Sequence, residues 1–271
     1  MHKVSFIGGG NMAAAIIGGL IASGAQPADI EVVEINADSR AQLAARFGVM
    51  THSDLAQAQL HGLIVLAVKP QSLPEVAAGL AARLSAQLVV SIAAGVRVAD
   101  LTRWLGGHGR IVRAMPNTPA LVQAGIAGLF APAAVNQEAR SQAETVLRAV
   151  GGVVWVESEA QLDAVTAVSG SGPAYVFYCI ESLEAAAVAQ GLSPATARQL
   201  ALQTFFGSAK LALESGEEPA LLRQRVTSKG GTTERGIDAL EAAAVKSAFA
   251  QAVDAASRRS AELGDELGRL A

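Results

Sequence analysis

The chain has 271 residues, a formal net charge of −3 and 51% hydrophobic residues. This length exceeds the ~100–200 residues typical of one domain, so we expect two domains. The near-neutral charge and the scattered lysines provide no basic patch for nucleic acid or for an acidic membrane surface. No apolar run reaches the ~18–20 residues that span a bilayer, and the single cysteine, Cys179, excludes an intrachain disulfide. These features predict a cytoplasmic protein that binds neither nucleic acid nor membrane; no metal site is predicted.

The N-terminal segment predicts a dinucleotide-binding turn. Val4–Ile7 is a short apolar strand pattern, and it is followed by three glycines and a helix of small residues. In this context Gly8 permits the turn, Gly10 lets the backbone approach a pyrophosphate, and Ala13 takes the place of a third glycine. The alternative is a tight turn without a ligand. The predicted cofactor-binding residues of this turn are Gly8, Gly9, Gly10, Asn11 and Met12.

Residues after the second predicted strand, 30–33, bear on the choice of cofactor. Glu34 ends this strand, where an acidic side chain usually accepts hydrogen bonds from the ribose hydroxyls of NAD. Ser39 and Arg40 lie just beyond and offer donors for the additional phosphate of NADP. The sequence therefore predicts NADH or NADPH as cofactor and leaves the preference open.

Further strand patterns at 62–68, 88–92 and 110–115 are typical of a buried parallel sheet. Five such strands, interleaved with helices, predict a doubly wound sheet. Runs at 125–130 and 153–156, separated by an amphipathic helix over 137–150, extend it. Because the carboxyl ends of parallel strands face the ligand crevice, the following residues should border the cofactor: Ala67, Val68, Lys69, Pro70, Ala93 and Ala94.

Two prolines fix the end of the last of these five strands in the segment Met115-Pro-Asn-Thr-Pro119. We expect Asn117 and Thr118 to be held outward there, next to the nicotinamide, and Asn117 is predicted to bind the cofactor. The alternative is a rigid turn whose polar residues are solvated.

The second half of the chain has helical periodicity from Asp163 onward. These helices carry more alanine and leucine than one small bundle buries, which indicates a homodimer formed through them. The predicted fold is an N-terminal α/β domain with a Rossmann-type doubly wound sheet, followed by an all-α C-terminal dimerisation domain. The predicted boundaries are 1–160 for the NAD(P)-binding domain and 161–271 for the helical substrate-binding and dimerisation domain.

A loop rich in glycine and hydroxyl groups precedes one of the later helices. Gly230 and Gly231 permit a tight turn, while Ser228, Thr232 and Thr233 supply hydroxyl donors. The free N–H groups and the dipole of a helix N-terminus favour a carboxylate or a phosphate. The alternative is an ordinary capped helix start.

With these segments in place, the chain resembles the Δ1-pyrroline-5-carboxylate reductase family over essentially its whole length. The resemblance implies a Rossmann domain, an intertwined helical dimer that can assemble into a decamer, and reduction of pyrroline-5-carboxylate to proline with NAD(P)H, the last step of proline biosynthesis. It is carried by these motifs: Phe6-Ile-Gly-Gly-Gly-Asn-Met12, Leu66-Ala-Val-Lys-Pro-Gln71, Ser91-Ile-Ala-Ala-Gly-Val96, Arg113-Ala-Met-Pro-Asn-Thr-Pro119, Ser169-Gly-Ser-Gly-Pro-Ala-Tyr175 and the segment from Val226 to Glu241.

The resemblance also implies roles for individual residues. The amides of residues 230–233 and the Ser228 hydroxyl would hold the substrate carboxylate, and Thr233, as the catalytic residue, would hydrogen-bond the ring nitrogen. Glu159 matches a substrate-contacting position. Ile35 stands where the family often places a serine for the adenosine phosphate.

Three other functions remain as alternatives: a related cyclic-imine reductase, an oxidoreductase of the β-hydroxyacid dehydrogenase type, and a dinucleotide-binding protein without turnover. The dehydrogenase type needs a lysine near the domain junction, but no lysine occurs between Lys69 and Lys210. This absence favours reduction of a C=N bond. The histidines lie outside the motifs, so none is expected to act as a catalytic acid: His2, His52, His61 and His108.

Overall fold

The computed structural model describes residues 3–270. Its central feature is one eight-stranded sheet with the strand order β3-β2-β1-β4-β5-β6-β7-β8. Neighbouring strands are parallel, except that β6 and β7 are antiparallel. The strands are β1 (Val4–Ile7), β2 (Ile30–Val33), β3 (Met50–His52), β4 (Leu63–Leu66), β5 (Leu88–Ser91), β6 (Ile111–Met115), β7 (Gly125–Phe130) and β8 (Gly151–Trp155).

Helices cover both faces of this sheet, as its buried central strands require. One apolar cluster contains Ile16 of α1 and Leu147 of α5, whereas the cluster on the other side contains Leu80 of α3 and Leu101 of α4. The predicted doubly wound α/β architecture is therefore confirmed. The helices of this layer are α1 (Asn11–Ala22), α2 (Ala37–Phe47), α3 (Leu73–Ala81), α4 (Val98–Trp104) and α5 (Gln137–Arg148).

The sequence patterns missed the edge strand β3. This strand is three residues long, pairs only with β2, and has no fully buried side chain. It therefore lacks the continuous apolar run that marks the central strands. The last strand also begins earlier than predicted, at Gly151 rather than Val153, because two glycines carry it into register with β7.

The chain after the sheet is helical, as predicted. A π-helical turn over Thr166–Gly170 lies between the first two helices of this part, and its i→i−5 bond joins the Ser171 amide to the Thr166 carbonyl oxygen at 2.7 Å. The sequence did not predict this turn. The helices are α6 (Gln161–Val165), α7 (Gly172–Ala189), α8 (Pro194–Ser215), α9 (Pro219–Arg225), α10 (Thr232–Ala242) and α11 (Val245–Gly268).

The chain divides into two compact units. The first comprises Met1–Ser171 together with Ala255–Ala271, and the second comprises Gly172–Asp254. The first unit is therefore discontinuous in sequence. The predicted domain boundary at residue 160 instead implies that the chain passes from one domain to the other only once. Where the separately folding domains end stays a prediction.

The C-terminal half of α11 belongs to the first unit. There the Arg97 Nη1 atom lies 2.7 Å from the Asp265 Oδ1 atom, and the Ser260 hydroxyl donates to Asp163 at 2.7 Å. Leu267 is buried in the same apolar cluster as α3 and α4. The last turns of the chain thus complete the core of the sheet unit.

The second unit leaves large apolar side chains open to solvent in the single chain. Phe177 and Tyr178 on α7 are 65% and 72% exposed, and Phe206 on α8 is 63% exposed. Such apolar surface is larger than a lone helical unit normally leaves open. Among residues 3–270, no helix is both long and apolar enough to cross a membrane.

Candidate active site

The glycine turn after β1 packs tightly against the neighbouring strand β4. Gly8 has a φ of +100°, and a Cβ atom placed on it would lie 2.7 Å from the carbonyl carbon of Ala67. The Ala67 amide in turn donates to the Ile7 carbonyl oxygen at 2.8 Å. Only glycine provides both this backbone conformation and this close approach.

The turn leads directly into an uncapped helix. Gly10 is the N-cap of α1 and has no side chain with which to cap it, and an added Cβ would meet nothing within 4 Å. The first backbone bond of the helix joins the Ala14 amide to the Gly10 carbonyl oxygen at 2.9 Å. The N–H groups of Asn11, Met12 and Ala13 therefore have no intrahelical partner and can donate to an anion.

The carboxyl ends of β1, β4 and β5 lie side by side next to this helix start. Beyond β4, Ala67 and Val68 are half-buried, Lys69 is exposed, and Pro70 begins a 3₁₀ turn. Beyond β5, Ala93 is buried and Ala94 is exposed. The chain order reverses between β1 and β4, which is where open parallel sheets bind dinucleotides. The cradle of glycine backbone and small side chains fits such a cofactor.

Glu34 reaches from the end of β2 into the glycine turn. Its Oε2 atom accepts a hydrogen bond from the Gly9 amide at 2.7 Å, and its Oε1 atom accepts one from the Asn36 amide at 2.8 Å. The guanidinium of Arg40 donates to the carbonyl oxygens of Glu34 and Ile35, both at 2.8 Å. The carboxylate is thus fixed beside the predicted ribose position.

Asn117 differs from its predicted orientation. We expected it to be held outward, but its side chain is buried: the amide nitrogen donates to the Ser169 carbonyl oxygen at 3.1 Å, and the amide oxygen accepts from the Ile126 amide at 2.9 Å. These bonds join the end of β6 to β7 and to the π-helical turn. Thr118 is exposed, as expected. Direct contact of Asn117 with a cofactor stays a prediction.

The second glycine loop lies before α10 in the helical unit. Gly230 has a φ of +72°, and Gly231 is the N-cap of α10, which has no side-chain cap. The Gly231 amide donates to the Ser228 carbonyl oxygen at 3.0 Å, and the Gly230 amide donates to the Glu234 carboxylate at 2.7 Å. Two of the amides predicted to hold a substrate are therefore engaged within the loop.

The next two amides are in a different position. Thr232 and Thr233 form the first turn of α10 and are exposed, and the first backbone bond of this helix comes from Arg235 to Gly231 at 3.4 Å. The N–H groups of the first turn therefore have no intrahelical partner. The exposed Ser228 hydroxyl precedes them. The loop can thus offer two amides and three hydroxyls to an anion.

Glu159 lies in the sheet unit, where it is engaged by two donors. Its Oε1 atom accepts from the Val98 amide at 2.8 Å and from the Arg113 guanidinium at 3.0 Å. The Arg113 side chain is buried, so its charge requires such a partner. Glu159 thus joins β6 to the first turn of α4, and its contact with substrate stays a prediction.

Three of the histidines lie within the described residues, and His2 lies outside them. His61 is buried next to Ser5, whose hydroxyl accepts from the His61 amide at 2.9 Å, and the His108 Nε2 atom lies 2.9 Å from the Gln87 carbonyl oxygen. His52 ends the edge strand β3. That no histidine acts as a catalytic acid stays a prediction.

Two residues of these sites were not identified from the sequence. Glu234 is the third residue of α10, a position from which an acidic side chain often reaches back to the start of its helix, so a capping pattern could have revealed it. Arg113 was noted only as part of a motif. Its pairing with Glu159 joins segments 46 residues apart, and no local signal reports it.

Comparison with known proteins agrees with this geometry. Residues 159–263 match the family model described as pyrroline-5-carboxylate reductase dimerisation, and residues 3–95 match the model described as NADP oxidoreductase coenzyme F420-dependent. Pyrroline-5-carboxylate reductase from Pseudomonas aeruginosa is 47% identical over 269 residues, which cover 98% of each chain. This chain belongs to the pyrroline-5-carboxylate reductase family.

Other members of the pyrroline-5-carboxylate reductase family are similarly close. The Escherichia coli enzyme is 41% identical over 264 residues, covering 96% of this chain and 98% of its own. The solved structure from Coxiella burnetii has a TM-score of 0.93 at 44% identity, covering 97% and 98% of the two chains. The Plasmodium falciparum structure with NADP bound has a TM-score of 0.85 at 30% identity, with the same coverage. The family therefore accounts for both the sheet unit and the helical unit.

Proposed function

We propose that this chain reduces Δ1-pyrroline-5-carboxylate to proline by hydride transfer from NADH or NADPH, the last step of proline biosynthesis. The observation that carries the proposal is the uncapped first turn of α10 behind a glycine and hydroxyl loop. The same chain, a member of this family, also has an uncapped, glycine-lined turn at the end of β1. One turn suits a pyrophosphate and the other suits a single carboxylate.

In this proposal, the α10 loop binds the substrate through its carboxylate. The amides of Thr232 and Thr233 and the Ser228 hydroxyl donate to it, supported by the dipole of α10. Gly230 and Gly231 shape the turn, and the Gly230 amide becomes a further donor only when Glu234 releases it. We also assign Glu159 to the substrate environment, through its second carboxylate oxygen.

Thr233 has the catalytic role, because its hydroxyl would hydrogen-bond the ring nitrogen while its own amide and that of Thr232 hold the carboxylate. The nitrogen of the cyclic imine can carry its own proton, so reduction to the amine needs hydride at carbon and no separate acid. When bound, the reduced nicotinamide supplies that hydride. The residues of the loop contribute position, which is worth up to about 7–11 kcal/mol in favourable cases.

The sheet unit would hold the cofactor at the ends of β1, β2, β4 and β5. The amides of residues 11–13 would bind the pyrophosphate, Glu34 would bind the ribose, and the small residues after β4 and β5 would border the nicotinamide side. Asn117 would act here through the turn that its side chain fixes. This arrangement agrees with the position of dinucleotides at the reversal point of open parallel sheets.

We further propose that the protein is a cytoplasmic homodimer that can assemble into a decamer. The family model for dimerisation covers most of the helical part, and α7 and α8 expose Phe177, Tyr178 and Phe206 in the single chain. Light scattering coupled to size-exclusion chromatography measures the assembly size. A monomer at micromolar concentration would contradict the proposal.

The deciding experiment is steady-state reduction of pyrroline-5-carboxylate with NADH and with NADPH in parallel, followed by loss of the reduced-nicotinamide absorbance. We expect turnover with at least one cofactor and formation of proline. A six-membered cyclic imine carboxylate and a β-hydroxyacid with oxidised cofactor test the alternative activities. No turnover of pyrroline-5-carboxylate with either cofactor would overturn the proposal.

A further inference from the structure

Glu34 is held at both oxygens of its carboxylate. Each of its carboxylate oxygens accepts one backbone amide, from Gly9 at 2.7 Å and from Asn36 at 2.8 Å. Its own amide donates to the His52 carbonyl oxygen at 2.9 Å, which fixes its backbone to β3. To turn the carboxylate away, both side-chain bonds must break.

Gly9 lies in close contact with the stem of the Glu34 side chain. A Cβ atom on Gly9 would lie 2.5 Å from the Leu43 Cδ1 atom and 3.1 Å from the Glu34 Cβ atom. The glycine turn, the Glu34 side chain and α2 are therefore in close contact. A negative charge is fixed at the edge of the cofactor turn.

One atom of Arg40 and one atom of Asn36 are engaged within this segment, and Ile35 has no polar side chain. Arg40 donates from Nη1 to the carbonyl oxygens of Glu34 and Ile35. The Asn36 side chain accepts from the Ser39 amide at 2.9 Å and so caps α2. Ile35 is 86% exposed and offers no side-chain donor.

We infer that Glu34 makes this chain selective for NADH over NADPH. A free ribose 2′-hydroxyl can donate to a carboxylate oxygen, because each oxygen still has a lone pair after accepting one amide. A 2′-phosphate brings two negative charges against a carboxylate that must lose two amide hydrogen bonds to turn away. The inference rests on the proposed function for the dinucleotide in the glycine turn, and it resolves the preference that the proposed function leaves open.

Binding measurements test the inference without turnover. Isothermal titration calorimetry on the full-length protein compares NAD⁺ with NADP⁺, and adenosine 5′-monophosphate with adenosine 2′,5′-bisphosphate. We expect the unphosphorylated member of each pair to bind at least about 10-fold more tightly, the effect of one unfavourable charge contact. If no nucleotide binds, the proposed function fails. Equal binding, or tighter binding of the phosphorylated member, overturns the inference alone.

Three variants locate the effect. Glu34→Ser should reduce the NAD⁺ preference at least about 10-fold, with a matching change for the two adenosine fragments. Asp38→Asn removes a charge of the same sign from the first turn of α2 and should leave the ratio unchanged. Arg40→Ala should weaken both dinucleotides equally. Selective loss of NADP⁺ binding in Arg40→Ala would identify a phosphate site and overturn the inference. Thermal unfolding verifies that each variant is folded. If Glu34→Ser does not fold, the ratio of NAD⁺ to NADP⁺ affinity of the wild-type protein alone tests the inference.

Discussion

The two glycine loops of this protein share a backbone arrangement but differ in the contacts that hold them. Each has a glycine with positive φ, Gly8 or Gly230, and then an extended glycine as the N-cap of an uncapped helix. In each, a carboxylate accepts a loop amide at 2.7 Å. The carboxylate of the first loop is 25 residues away in sequence, whereas that of the second is four residues away. The first loop is therefore held by a residue that follows a neighbouring strand, whereas the second is held by a residue of the helix that it precedes.

The largest expected effect of a substitution is at Gly8, where strain and collision coincide. Gly8→Ala should lower the free energy of unfolding by about 2–5 kcal/mol and abolish measurable dinucleotide binding. Gly24→Ala is the matched control, because Gly24 has a φ of +97° but an added Cβ meets nothing within 4 Å. Urea unfolding at fixed protein concentration measures the free energy of unfolding of each variant, and calorimetry measures its dinucleotide binding. Equal destabilisation by the two changes would mean that contact with β4 contributes nothing.

Thr233 tests whether the second loop acts on substrate alone. Thr233→Ala should lower kcat/KM for pyrroline-5-carboxylate about 10- to 100-fold, the loss expected for one charge-assisted hydrogen bond in the transition state. Cofactor affinity should stay nearly unchanged. Thr233→Ser keeps the hydroxyl and should restore most of the activity. Parallel loss of cofactor and substrate binding would reject the assignment.

A substitution at Gly230 tests the effect of backbone strain alone, because an added Cβ would not collide with another atom. Gly230→Ala should raise KM for the substrate roughly 5- to 30-fold, because the left-handed conformation costs a residue with a Cβ about 1–2 kcal/mol. An added Cβ at this position meets no atom within 4 Å, so the unfolding midpoint should change little more than in the control Gly216→Ala. Gly216 has a φ of +65° and ends α8 in the same unit. If Gly216→Ala raised KM equally, the effect would not belong to the loop.

The smallest expected effect is at Glu234, whose bond to Gly230 is exposed. Glu234→Ala should raise KM about 3- to 10-fold by loosening the turn, in keeping with one exposed hydrogen bond. Glu234→Gln retains an acceptor and should show a smaller change. A lower KM in Glu234→Ala would instead mean that release of the Gly230 amide to the substrate outweighs the loosening of the turn.

The comparison also explains what the sequence could predict. Runs such as Leu63–Leu66 are apolar throughout because parallel strands are buried on both faces, so the central strands and their order as βα units were readable. Both glycine loops could also be recognised in the sequence, because each is a contiguous segment before a helix. The edge strand β3 has no such run and was missed.

What the sequence could not predict depends on contacts between distant segments. The inward direction of Asn117 follows from partners on β7 and on the π-helical turn, the latter 52 residues away. The prolines around it indicated a rigid turn correctly but not the direction of its side chain. The bond from the Gly9 amide to the Glu34 carboxylate likewise joins segments 25 residues apart. Local patterns locate such residues, and tertiary contacts decide what they do.

The last helix has a consequence for the order in which the chain can fold. Leu267 is buried against the sheet unit, and Arg97 and Arg103 bond to residues 261–268 near its end. Because ribosomal synthesis proceeds from the N-terminus, the dinucleotide unit begins first but receives its final packing element last. A nascent chain stalled after residue 254 would expose the apolar surface that Leu267 covers. Residues 3–171 therefore complete their packing only after α11 has been synthesised.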